Sequence, residues 1–80
     1  MVAKMLRQDF VVEVQHKRIS VRMTGTSYLV AFVMSANSPQ LVPIKIPFDD
    51  DHRAAMDRTE FLGFAKHLAE KKARQLGWIT

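Results

Sequence analysis

The chain has 80 residues, of which 48% are hydrophobic and 25% charged, and it contains no cysteine. This length predicts one small domain, residues 1–80, and the composition argues against an intrinsically disordered chain. The lack of cysteine excludes disulfides, a thiol nucleophile and a cysteine-ligated zinc site, and it fits a reducing compartment.

The formal net charge is +4, and its distribution along the chain is uneven. Residues 1–48 and 61–80 are basic, whereas residues 49–60 are acidic. The longest apolar run, Tyr28–Met34, is far shorter than the roughly 20 residues that span a bilayer. No signal peptide is visible either, so we expect a soluble, cytoplasmic protein without a membrane partner.

The first predicted elements are a short helical turn over Met1–Gln8 and two β-hairpins. We expect strands at Phe10–Gln15, Arg18–Thr24 and Ser27–Ser35, joined by two-residue turns at His16-Lys17 and Gly25-Thr26. In this register one face of the sheet receives only apolar side chains, and a slip by one residue would scatter them over both faces. The register pairs Val14 with Ile19 and Phe32, Val12 with Val21 and Val30, and Phe10 with Met23 and Tyr28.

A fourth strand is predicted over Leu41–Phe48, after a loop at Asn37–Pro39. Pro43 and Pro47 lack backbone donors and fall on the same side of this strand, which only an edge strand tolerates. We therefore place the fourth strand at one edge of the sheet and the first strand at the other.

The last predicted element is a helix over Arg58–Leu76. Asp57 and Glu60 have the spacing of an N-cap and its capping-box partner. Gly77 stands where a left-handed residue ends a helix, and Trp78 follows it. The fold class is therefore α+β: a four-stranded antiparallel meander (β-β-β-β-α) with one C-terminal helix packed on one face, in two layers.

One helix leaves the other face of the sheet open, and this face carries both apolar and basic side chains. A half-apolar open face is typical of a contact surface. We expect it to bind a second copy of the chain or another protein, and the alternative is that the N-terminal turn covers it. The predicted partner interface consists of Val11, Leu29, Ala31 and Val33.

The same face supports a different hypothesis, binding of DNA or RNA. Arg18 and Arg22 project from a central strand at positions suited to guanine and phosphate contacts. Tyr28 and Phe32 lie on the core side, which disfavours an RNA-binding sheet with exposed aromatic rings. The predicted nucleic-acid-binding residues are His16, Lys17, Arg18, Ser20 and Arg22.

The sequence indicates no enzyme within one chain, and the third hypothesis is an enzyme subunit whose site forms between two copies. Asp49, Asp50, Asp51 and His52 form the one cluster with metal-ligand character, but their spacing matches no standard loop, so we interpret it as a solvated acidic turn. The basic helix residues, among them His67, Lys71 and Arg74, are accounted for by the helix dipole. We predict no catalytic residues, metal, cofactor or small-molecule substrate, and a function in protein interaction or homodimerisation, with nucleic-acid binding as the alternative.

Overall fold

The computed structural model describes residues 9–79 and shows the expected meander followed by one helix. The strands are β1 (Phe10–Gln15), β2 (Arg18–Met23), β3 (Leu29–Met34) and β4 (Leu41–Lys45), and the helix is α1 (Arg58–Gln75). Neighbouring strands are antiparallel in the order β1-β2-β3-β4, with α1 packed on one face. The predicted α+β two-layer fold is confirmed, and the helical turn predicted for Met1–Gln8 lies outside the described residues.

The predicted register is confirmed in both hairpins. Val12, Val21 and Val30 stand side by side, and so do Val14, Ile19 and Phe32. The side chains of Ile19, Val21 and Val30 are fully buried under α1. Because strand side chains alternate between faces, this register also determines which residues face away from the helix.

The core joins the sheet to α1 through aromatic rings and small helix residues. Phe61 stacks on Tyr28, with ring centroids 4.8 Å apart, and on Phe10, with centroids 6.0 Å apart. Ala65, Ala69 and Ala73 continue the buried stripe of the helix, and their small side chains let α1 lie close to the sheet.

Both predicted helix caps are present. The side chain of Asp57 accepts a hydrogen bond from the Glu60 backbone, and the Glu60 side chain accepts one from the Asp57 backbone. At the other end Gly77 has a φ of 80°, and the Trp78 backbone N–H donates to the Ala73 carbonyl at 2.8 Å. This is the Schellman arrangement, which satisfies the last carbonyls of a helix.

The predicted two-residue turn at Gly25-Thr26 is wrong, because β2 ends at Met23 and β3 begins only at Leu29. The Met23 backbone N–H donates to the Tyr28 carbonyl at 3.2 Å, and side-chain hydrogen bonds supply the further contacts of this connection. The Thr26 hydroxyl donates to the Met23 carbonyl and accepts from the Tyr28 backbone N–H, and Ser27 binds Asp51.

The prediction that β4 extends to Phe48 is also wrong, because the strand ends at Lys45. Its register jumps from Phe32–Pro43 to Ala31–Lys45, so Ile44 is an extra residue in a bulge. Beyond the strand, the Pro47 carbonyl accepts a hydrogen bond from the Arg58 side chain. The sheet order confirms the expected edge position of β4.

Candidate interaction surface

We define the open face as the side chains of the sheet that point away from α1, and the register arranges them in three rows across the strands. Residues in a row lie on neighbouring strands about 4.8 Å apart. The first row is Val11, Arg22 and Leu29; the second is Glu13, Ser20, Ala31 and Lys45; the third is Gln15, Arg18, Val33 and Val42.

The apolar part of the open face lies mainly on β3 and β4. Leu29 is 44% exposed, and Val33 and Val42 are half-buried. Val11 is half-buried on β1. Ala31 belongs to the same face but is only 3% exposed, because its side chain is small and its strand lies between β2 and β4. Of the four predicted interface residues, Val11, Leu29 and Val33 therefore have side chains accessible to a partner, whereas the side chain of Ala31 is buried.

The charged part of the face has a regular arrangement. Arg18 and Arg22 are exposed near the two ends of β2, with the half-buried Ser20 between them. Glu13 and Lys45 are exposed at opposite ends of the second row, three strand spacings or about 14 Å apart. Opposite charges therefore flank a row whose centre is small and uncharged.

The β1–β2 turn adds two more of the predicted nucleic-acid-binding residues. His16 has a φ of 53°, in the left-handed region, which makes the two-residue turn at His16-Lys17 that the pattern predicts. His16 and Lys17 are exposed, and together with Gln15, Arg18 and Val33 they line a depression at this end of the face. The structure thus brings His16, Lys17 and Arg18 together, whereas Arg22 stands at the other end of β2.

The two aromatic residues predicted to face the core do so. Tyr28 is 1% exposed and Phe32 is 3% exposed, both on the helix side of the sheet. Neither ring is free to stack on a base, so the open face has no exposed aromatic platform among residues 9–79.

The residue that the sequence interpretation missed is Asp51. The acidic segment was expected to be solvated, but Asp51 is only 7% exposed and connects three parts of the fold. Its carboxylate accepts from the backbone N–H and the hydroxyl of Ser27, at 2.6 Å and 3.0 Å, and from the backbone and side chain of Arg53. Its backbone N–H donates to the Tyr28 hydroxyl at 3.0 Å.

These hydrogen bonds stabilise the ionised form of Asp51. The Arg53 guanidinium, and then the backbone N–H groups of Ser27 and Arg53, hold the pKa of the Asp51 carboxyl well below its usual range. Conversely, the carboxylate raises the pKa of the Arg53 guanidinium. Asp51 is therefore a structural anion with filled hydrogen-bond positions, and this arrangement is unsuited to proton transfer.

The other acidic and histidine residues form no common site. Asp50 accepts a hydrogen bond from the Arg58 backbone at the start of α1, while Asp49 and His52 are exposed. Within residues 9–79, no group of three or more histidine, aspartate or glutamate side chains lies close enough to hold a metal ion. The helix residues His67, Lys71 and Arg74 are exposed on α1.

The comparisons with known proteins return no relative. No family model, no curated protein and no solved structure matches this chain. In the part of the chain that the structure describes, no helix is both long and apolar enough to cross a bilayer.

Proposed function

We propose that this protein is a small non-catalytic interaction module that forms a homodimer through the open face. The observation that carries the proposal is the exposed apolar surface of Leu29, Val33 and Val42, on a sheet whose other face is already covered by α1. An apolar patch on a sheet that has one covering layer among residues 9–79 is typical of a contact surface. Small domains often complete their core by associating in this way.

The charges of the second row favour a second copy of the chain as the occupant. Consider two sheets stacked face to face about a two-fold axis that runs along the strands, between β2 and β3. Strand β1 of one copy then lies over β4 of the other, and β2 lies over β3. Glu13 of each copy meets Lys45 of the second copy, so two opposite-charge pairs close the two sides of the interface.

The centre of the same arrangement is suited to close approach. Ser20 lies over Ala31 of the second copy, and these are the smallest side chains of the open face. Arg18 and Arg22 stand near the ends of β2, so their guanidinium groups extend past the strand ends into water while their aliphatic stems cover Val33 and Leu29. An axis perpendicular to the strands would instead place Arg18 against Arg22 of the second copy, and like charges disfavour it.

The open face is small for an interface between two proteins. Four strands of five or six residues cover about 20 Å by 15 Å. This area is smaller than the roughly 800 Å² per partner of a standard stable interface. We therefore expect a reversible dimer that dissociates on dilution.

Sedimentation velocity on variants of the face tests the proposal. We expect Leu29→Lys and Val33→Lys to give folded monomers, because both side chains are on the solvent side of the sheet in the single chain and each new lysine would lie against an arginine of the second copy, Arg22 or Arg18. The matched control is Phe48→Lys, which changes a 92% exposed side chain in the segment between β4 and α1 and should leave the dimer intact. Dimers of both face variants would refute the proposed interface.

A charge exchange tests the orientation of the two copies. Glu13→Lys alone and Lys45→Glu alone should each weaken the dimer, because each variant places like charges at both sides of the interface. The double variant Glu13→Lys/Lys45→Glu restores opposite charges and should recover most of the lost affinity. If the double variant loses as much dimer affinity as the two single variants lose in sum, this orientation is refuted.

Nucleic-acid binding is the second candidate function. It is supported by Arg18 and Arg22, which are exposed on the open face together with Lys45, and by His16 and Lys17 at the adjacent turn. Ser20 lies between the two arginines and offers a further polar contact. A duplex would bind with an affinity that falls as salt increases, because phosphate contacts release counterions.

The test of this second candidate is a salt series of DNA binding. Arg18→Ala/Arg22→Ala should remove binding and flatten its salt dependence, whereas Lys66→Ala/Lys71→Ala removes the same charge from α1 and should leave the slope unchanged. Equal losses in the two double variants would indicate a general charge effect and would exclude the sheet face as the binding site.

A further inference from the structure

A second surface lies at the end of the sheet where β1 turns into β2, and Lys17 is its central residue. Lys17 lines two adjoining depressions. One, of about 300 Å³, is also lined by Met34 and Trp78. The other, of about 370 Å³, is lined by residues of the β1–β2 turn and by Val33. The first depression lies on the helix side of the sheet and the second on the open face, and Lys17 at the end of the sheet lines both.

The Trp78 side of this surface is held by the end of α1. Gly77 turns the chain with its positive φ, and hydrogen bonds from the Gly77 and Trp78 backbones return to the Arg74 and Ala73 carbonyls. Trp78 is half-buried and packs against the core. The helix end therefore fixes the position of the indole before any ligand arrives.

The edge of this surface provides a cation. Lys17 is exposed and forms no ion pair within residues 9–79. His16 and Arg18 line the depression on the open-face side of Lys17 and make this end of the sheet more basic. Lysine and arginine bind phosphate oxygens through charge-assisted hydrogen bonds, so this end of the sheet suits a phosphate group.

We propose that this surface binds a nucleoside phosphate, with the base against Trp78 and Met34 and the phosphate at Lys17. Aromatic side chains stack on any base, and adjacent cations contact its phosphate, which is the combination that single-stranded nucleic acids require. A free mononucleotide and the end of a single strand share this chemistry. The proposal does not depend on the homodimer, because Lys17, Met34 and Trp78 lie outside the open face.

The chain offers a direct probe, since Trp78 is its single tryptophan. The experiment titrates the intact protein with adenosine monophosphate, inorganic phosphate and a short oligothymidylate. It follows Trp78 fluorescence and measures the heat of binding in parallel by calorimetry. We expect adenosine monophosphate or the oligonucleotide to quench the fluorescence, and phosphate to compete without quenching.

Substitution of Lys17 separates a built site from general attraction of anions. Lys17→Gln should weaken binding about tenfold or more, as expected for the loss of a charge-assisted contact. The matched control Lys71→Gln, which removes the same charge from the exposed surface of α1, should leave the affinity unchanged. Quenching by the mononucleotide at least as strong as by the oligonucleotide identifies a mononucleotide site, and much tighter binding of the oligonucleotide identifies a strand end.

Three results would overturn the proposal. The first is an absence of both quenching and heat with every nucleotide probe. The second is equal loss of affinity in Lys17→Gln and Lys71→Gln. The third is binding of phosphate as tight as that of adenosine monophosphate with no quenching, which would indicate an anion site without base stacking.

Discussion

Asp51 accepts two hydrogen bonds from Ser27, a residue 24 positions earlier in the chain, at 2.6 Å from its backbone N–H and 3.0 Å from its hydroxyl. This contact joins the connection between β2 and β3 to the segment that precedes α1. Tyr28 strengthens the junction, because its hydroxyl accepts from the Asp51 backbone and donates to the Met56 carbonyl. The junction sets where α1 starts relative to the sheet.

Asp51→Asn should lower the thermal midpoint of unfolding by several degrees. The amide keeps the shape of the side chain but removes the negative charge that binds Ser27 and Arg53. Its Nδ2 is a donor, so it would face the donor groups of Ser27 or Arg53 at a position where the carboxylate oxygen accepts their hydrogen bonds. Thermal denaturation followed by circular dichroism measures the effect. The control is Asp49→Asn at an exposed position in the same segment, and an equal shift in both variants would contradict the role of Asp51.

The same carboxylate predicts how stability depends on pH. The unfolded chain takes up the proton near the usual carboxyl pKa of about 3.9, whereas the folded chain keeps Asp51 ionised to a lower pH. The stabilisation by Asp51 is therefore complete above about pH 4 and is lost progressively as the pH falls further. The difference in melting temperature between the native chain and Asp51→Asn should be constant near neutral pH and should shrink below pH 4. A difference in melting temperature that stays unchanged at low pH would contradict this assignment.

Tyr28→Phe should destabilise the fold by about 1–3 kcal/mol, because it leaves the Asp51 N–H and the Met56 carbonyl without their partner. The ring and its stacking on Phe61 are retained, so the loss reports the hydroxyl alone. Urea denaturation measures the free energy of unfolding. Unchanged stability would show that water replaces the hydroxyl at both positions.

Replacing each of two glycines of the helical region by alanine should change the stability of the fold in opposite directions. Gly77 has a φ of 80°, so Gly77→Ala should cost about 1 kcal/mol although its added Cβ meets no atom. Gly63 lies inside α1 with open space around it, so Gly63→Ala should stabilise the fold by about 0.5–1 kcal/mol. The same denaturation assay measures both variants, and the prediction fails if the two changes have the same sign.

The sequence predicted the parts of the fold that depend on local periodicity. The hairpin register follows from alternation over neighbouring strands, and the caps of α1 follow from Asp57, Glu60 and Gly77 within one turn of its ends. The residues of the open face on the first three strands come from the same register. Val42 was not expected there, because only the bulge at Ile44 brings Val42 and Lys45 to the same face.

The sequence did not predict the features that depend on contacts between distant segments. The burial of Asp51 is decided by Ser27 and Tyr28, which are far from it in sequence. One signal was available: a tyrosine predicted on the core face needs a partner for its hydroxyl, and the acidic segment was a candidate to supply it. The early end of β4 depends on a bulge at Ile44, which alternation alone does not reveal.

The central claim is that the open face binds a second copy of the chain. Its most direct test is the molar mass in solution, measured by light scattering over a dilution series at low and high salt, for the native chain and for Leu29→Lys. We predict a dimer of the native chain that persists at high salt and dissociates on dilution, and a folded monomer of Leu29→Lys at every concentration. A native chain that remains monomeric at the highest concentration, or a Leu29→Lys variant that dimerises as the native chain does, would contradict the account.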